Sequence, residues 1–192
     1  MEYHRHWDLQ GKHAYLSPSG SRSWLNYDKN RMQSYFKNML KKDEGTWLHD
    51  LASRLIKSRK RLAPQKNAFN LFVNDAIGFR MESEIVLYYS DNIFGTADAL
   101  LYKEKECHLQ IHDLKTGDGK VHFDQLYTYA ALFCLEYNVN PLNLTFEFRL
   151  YQGNGFEVDN VTDGGLIKII MDKIVMLDKI IDEERVNYKG IY

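Results

Sequence analysis

Gly95-Thr96-Ala97-Asp98-Ala99-Leu100-Leu101-Tyr102 and Leu109-Gln110-Ile111-His112-Asp113-Leu114-Lys115 are the stretches on which the fold turns. The first reads as a strand entered through a glycine and the second as a strand ending on charge, with Lys103-Glu104-Lys105-Glu106 between them as a hairpin turn. Side chains alternate across a strand, so Asp113 and Lys115 share one face while His112 and Leu114 point to the other. A tight turn sets Asp98 either directly opposite Asp113 or diagonally beside it, at Cβ separations of about 5 to 8 Å. Either register puts two carboxylates and one ammonium on one patch.

Two carboxylates that close repel each other when ionised, and a fold tolerates them when a cation is supplied. Oxygen ligands favour a hard ion, Mg²⁺ or Mn²⁺. An Asp-x-Lys taken alone is ordinarily an exposed ion pair, with Asp98 capping a turn. Here apolar Leu109, Ile111 and Leu114 lead into the charges and the chain turns at once at Thr116-Gly117, which favours a site.

Outward from this hairpin the pattern is helix and strand in turn. Helices are expected from Ser19 to Leu25 behind a serine cap, from Asn30 to Lys41, and from Thr46 to Lys60, where Trp47, Leu48, Leu51, Ala52, Leu55 and Ile56 form an apolar face. Glu82 to Tyr89 alternates as a first strand and ends at the Ser90-Asp91-Asn92 turn. After Lys115, a Thr116-Gly117-Asp118-Gly119 loop leads into a helix from about Phe123 to Tyr137. Asn143 to Tyr151 alternates again as a half-buried strand, and Gly164-Gly165 precedes a long amphipathic helix carrying Leu166, Ile169, Ile170, Ile174, Leu177, Ile180 and Ile181. The expected class is α/β, in the order α-β-β-β-α-β-α.

Four short motifs now stand in sequence: Gly45-Thr46-Trp47-Leu48-His49, Gly95 to Asp98, Asp113-Leu114-Lys115-Thr116-Gly117, and Gln125 with Tyr129 four residues later on a helix. The arrangement resembles the RecB-type branch of the PD-(D/E)XK nuclease superfamily, which includes phage recombination exonucleases. Leu16-Ser17-Pro18-Ser19 followed by Trp24-Leu25 is similar to the helix start of such phage proteins. The likeness covers residues 13 to 151 and implies a restriction-endonuclease-like core (α-β-β-β-α-β) with extra N-terminal helices and a C-terminal amphipathic helix. One domain over 1–192 is expected, with N-terminal helices about 17–42, a catalytic core about 43–151 and the last helix about 164–186.

Carried over by position, the resemblance implies that His49, Asp98 and Asp113 bind Mg²⁺ or Mn²⁺, with the Leu114 carbonyl as a further ligand. Lys115 would position or polarise the attacking water, and Gln125 and Tyr129 would steady Lys115 or touch the DNA backbone. A histidine on an apolar helix is ordinarily a packed or surface residue, so His49 owes its role to the motif. Tyr129 also lies on its helix's apolar stripe and serves either the core or the site. The chemistry asks for the same residue types, since a cation and a lysine relieve the repulsion between an anionic nucleophile and a phosphodiester. The resemblance implies a metal-dependent deoxyribonuclease acting as an exonuclease on single-stranded or duplex DNA ends. The alternatives are a structure-specific endonuclease or nickase, and a non-catalytic binding protein on the same fold.

Composition narrows the classes. A chain of 192 residues, 44% hydrophobic with three prolines, buries one good core. No apolar run approaches the ~20 residues that span a bilayer, and Met1-Glu2-Tyr3-His4-Arg5-His6 carries no signal segment, so no membrane partner is expected. The resemblance implies a bacterial or phage-infected cell, and its cytoplasm is the expected setting. Two cysteines, Cys107 and Cys134, read as buried free thiols and fall short of the four that an iron–sulfur cluster needs. The formal charge of −1 argues against a DNA partner, but Arg54, Lys57, Arg59, Lys60 and Arg61 form a cluster without an acidic residue. It either holds phosphates beside the site or is a solvated helix end favoured by the dipole. A homo-oligomer is compatible with all of this.

Overall fold

A computed structural model of the chain describes Ala14, Leu16 and residues 22–188. The expected Ser19 cap, the Ser17-Pro18-Ser19 opening and the first six residues lie outside the described residues. The chain divides into two units, Met1–Trp47 and Leu48–Tyr192. In the first, a 3-10 turn at Arg22–Asn26 stands where an α-helix was expected, and Asp28 Oδ1 then accepts from the Arg31 amide at 2.8 Å to cap helix α1, Lys29–Lys57. Asn30–Lys41 and Thr46–Lys60 were expected as separate helices, split at position 42. They are one helix, because Gly45 lowers helix propensity without removing an amide.

The second unit is an α/β fold whose five-stranded mixed sheet has the order β1-β2-β3-β4-β5. Its strands are β1 (Glu82–Ser90), β2 (Ile93–Lys103), β3 (His108–Lys115), β4 (Thr145–Gln152) and β5 (Gly155–Val161), and its helices beyond α1 are α2 (Ala68–Phe79), α3 (Asp124–Glu136) and α4 (Gly165–Tyr188). Only β3 and β4 run parallel, joined through α3; the other pairs are antiparallel. A hairpin through Gly153, at φ +59°, adds β5, which the alternating pattern did not reveal. Cys107 lies in the β2–β3 turn at φ +48° and is exposed rather than buried; Cys134 is buried as expected.

Helix α2 is the main element not foreseen from sequence. Asn67 caps it by accepting from the Asn70 amide at 2.8 Å, and Phe72, Val73, Ala76 and Ile77 are its buried side. With the end of α1 it covers one face of the sheet, where Ala52, Ile56, Phe72, Val73, Ala99, Leu114 and Tyr151 pack. Helices α3 and α4 cover the other, over Leu109, Ile111, Phe146, Phe148, Leu150 and Ile167. β3 is therefore buried on both sides, as a strand inside a layered α/β fold must be.

Because α2 covers that face, the polar side of β3 and β4 is enclosed and bonds largely within itself, leaving Gln110 Oε1 and His112 Nε2 without a hydrogen-bond partner. Gln110 Nε2 and Arg149 Nε donate to Glu147 Oε1 at 2.9 and 2.7 Å, while Arg149 Nη1 and Tyr151 Oη donate to Asp75 Oδ2 at 3.2 and 2.8 Å. The Arg149 guanidinium lies over the Phe79 ring, 4.7 Å from its centroid. His112 is wholly buried, its Nδ1 3.2 Å from Tyr151 Oη, and burial with the nearby Arg149 charge drives its pKa from 6.5 to about 3.

That depression makes stability depend on acid. Unfolded chain takes up a proton at His112 near pH 6.5 and folded chain only near about 3, so the stability present above 6.5 falls away as pH drops through this window. His112→Gln is predicted to flatten this acid limb. Thermal unfolding at several pH values checks it, and equal acid sensitivity in both proteins would refute it.

Candidate metal centre

The site is assembled where β2 and β3 part. Their ladder pairs Ala99 with His112 and goes no further, so the Leu114 amide, left without a strand partner, donates to Asp98 Oδ2 at 2.8 Å. Asp98 thus meets β3 at Leu114, beside Asp113. An amide and a carbonyl of one strand residue lie on the same edge, so the Leu114 carbonyl faces the same side as its amide, toward Asp98.

Helix α1 brings His49 to the same place. Ala52 and Ile56 are buried one and two turns further on, and Ser53 Oγ lies 3.1 Å from Ser83 Oγ, which fastens the helix to β1. His49 Nδ1 then lies 3.2 Å from Asp98 Oδ1. Glu84 joins them. Ser83 pairs with Ala99 and Ile85 with Ala97, so Glu84 falls opposite Asp98, but its φ of +55° takes it out of the ladder. Ligand atoms of His49, Glu84 and Asp98 all lie within 4.8 Å of one another. Alternation sets Glu84 with Val86 and Tyr88 against Ile85 and Leu87, the register shifts between Tyr88 and Ser90, and a left-handed glutamate cannot be read from sequence.

On the other side of Asp98 the charges run through β3 into α3. Asp113 is 2% exposed, and its Oδ2 has the Lys115 ammonium 2.9 Å away without a directed hydrogen bond. Lys115 Nζ donates to Gln125 Oε1 at 2.5 Å and Gln125 Nε2 donates to Tyr129 Oη at 3.0 Å. The Tyr129 ring lies over Gly95, where an added Cβ would come within 2.9 Å of Cε1. The contacts thus return to β2, three residues before Asp98. Cavities of about 220 Å³ and 310 Å³ open on either side of Lys115, the second also lined by Lys120 and His122.

Electrostatics follow from this crowding. Burial raises the Asp113 pKa and the Asp98 charge raises it further, against the opposing pull of Lys115. The hydrogen bond to Asp98 raises the His49 pKa above 6.5 despite desolvation, and the exposed Glu84 is raised by partial desolvation and by the Asp98 charge. The contact with Asp98 thus favours the protonated imidazole, a positive charge of the kind a cation would bring. The donors fit a hard divalent ion: ligands at about 2.1 Å in octahedral array stand about 3.0 Å apart, close to the His49–Asp98 separation of 3.2 Å. His49, Glu84 and Asp98 are the residues that would hold one; Asp113, expected as a ligand, is not part of that 4.8 Å group and has Lys115 beside it.

The basic cluster is placed differently from the acidic one. Arg54 pairs with Asp50 at 2.7 Å, and Arg59, at φ +54°, donates to the Met81 carbonyl at 3.1 Å and approaches Glu82 at 3.4 Å. Lys57, Lys60 and Arg61 are exposed. With a rise of ~1.5 Å per residue, the end of α1 is about 12 Å along the axis from His49, so these groups flank the site.

Gly95→Ala is predicted to force Tyr129 aside and cost about 1–3 kcal/mol, and the penalty should vanish when Tyr129 is also alanine. Chemical denaturation of the two single variants and the double variant measures this; purely additive effects would show that the ring does not need the glycine. Comparisons with protein-family models, with characterised proteins and with solved structures each returned no match to this chain.

Proposed function

We propose that the protein is a metal-dependent nuclease built on a restriction-endonuclease-like core, acting as an exonuclease at DNA ends. The observation that carries the proposal is the junction at Asp98. A buried Asp113 whose Oδ2 has an ammonium but no directed hydrogen bond, an Asp98 shared between His49 and β3, and an added Glu84 make a nest of anionic donors beside one lysine. A divalent ion held there would lower the pKa of a bound water and neutralise phosphate oxygens.

The residues then divide the work. His49, Glu84 and Asp98 would hold the ion, with Asp113 and the Leu114 carbonyl beside them. Lys115, bonded to Gln125, would position or polarise a water whose oxygen bonds to phosphorus as the scissile phosphorus–oxygen bond breaks, the water giving up a proton and the leaving oxygen taking one. Tyr129 holds Gln125, and is therefore both core and site. Lys57, Lys60 and Arg61 would attract the phosphate backbone without reading bases, which suits an end-directed substrate.

Linear DNA with Mg²⁺ or Mn²⁺ is predicted to be degraded while covalently closed circles survive; equal loss of both would reject the end requirement. Lys115→Ala should keep Mn²⁺ binding and lose about 10²–10³ in rate, whereas Asp113→Ala should lose both, read by calorimetry and gel assay. Because Mn²⁺ must displace a proton whose pKa lies above 6.5, apparent Mn²⁺ affinity should rise with pH through the raised His49 value, and His49→Asn should weaken binding and remove that rise. A pH-independent affinity in the parent protein would remove His49 from the ligand set.

A further inference from the structure

Helix α4 is apolar on two sides, and the fold uses one. Ile167 and Ile174 are buried against the α3 side of the sheet, yet Ile169, Met176 and Ile180 are 66%, 52% and 46% exposed. At about 100° per residue these three gather roughly 120–160° around the helix from Ile174, with Leu166 and Leu177 bordering them. Nor is the helix free to roll them inward. Asp178 accepts from Ser90 and Asn92 at 2.5 and 2.9 Å, and Asp182 accepts from Asn92 at 2.9 Å, which pins its C-terminal half to the β1–β2 turn.

The flank of this exposed stripe carries Lys168, Asp172, Lys179 and Glu183, all within about 60° of one another and paired within the chain as Lys168–Asp172 and Lys179–Glu183. Read forward the charges are plus, minus, plus, minus; read backward they are the complement. An identical helix laid antiparallel brings Asp172 against Lys179 of the second copy and Lys168 against its Glu183, each pair occurring twice about the two-fold axis. The same alignment stacks Ile169 near Ile180 of the second copy and Lys173 near its Met176, the spacing of a helix seam.

We propose that the free face of α4 is the surface on which a second copy of this chain docks, as an antiparallel helix pair with two-fold symmetry. The proposal is independent of the nuclease reading. Sedimentation velocity over a concentration series should show a dimer forming well below about 100 µM by mass action. Ile180→Asp should give a monomer with unchanged circular dichroism, since the side chain is already exposed. Lys179→Asp should weaken the dimer about tenfold, because the reversal is felt at both symmetric contacts, and adding Asp172→Lys should restore most of the loss although both intrachain pairs are then broken. A monomer throughout the series, a dimer indifferent to Ile180→Asp, or a double variant no tighter than the single one would each overturn the proposal. So would a monomer that instead binds neutral lipid vesicles through this face.

Discussion

The amide of Leu114 has to find an acceptor once β2 and β3 separate, and the one it finds is the carboxylate of Asp98. Everything at the candidate centre depends on that bond. The β2–β3 ladder ends at Ala99 and His112, and the bond then holds Asp98 against the end of β3 beside Asp113. The resulting concentration of negative charge faces the ammonium of Lys115 and the His49 imidazole, whose contact with Asp98 favours its protonated form. Neither of these is as good a counter-charge as a divalent ion shared by the same donors.

The other face of the sheet solves a different problem with the same means. Burying β3 on both sides strands the polar side chains that alternate with its apolar ones, and desolvated polar groups must bond or cost stability. Gln110, Glu147, Arg149, Tyr151 and Asp75 answer by bonding to one another, while His112 answers by staying neutral. The two networks lie on opposite faces of β3, one residue apart in sequence at His112 and Asp113. One pairs its charges within the interior; the other concentrates like charge at an opening.

Apolar surface is distributed unevenly in consequence. The α3 and α4 side of the sheet takes Ile167 and Ile174 and is then full, so Ile169, Met176, Leu177 and Ile180 remain outside. A helix apolar on two sides is ordinarily buried on both. The polar bonds from Asp178 and Asp182 to the β1–β2 turn show that the helix keeps this orientation rather than tucking the stripe away.

Strands β1 to β4, α3 and α4 could be read from residue order within a few positions, because each rests on local periodicity and turn chemistry. The chain of Asp113, Lys115, Gln125 and Tyr129 was legible for the same reason: alternation on a strand and four-residue spacing on a helix are short-range rules. Helix α2 had its Asn67 cap and apolar spacing in plain view, but strand β5 is mostly exposed and follows no clear alternation. What periodicity could not supply was Glu84, Arg59 and the division of α4 into a covered and an uncovered side. A positive φ at Glu84, the tether of Arg59 to Met81, and the space left once α3 and the sheet have packed all arise from contacts between segments far apart in the chain. Short-range rules say which residues share a face, whereas long-range packing settles which faces meet and how much apolar surface is left over.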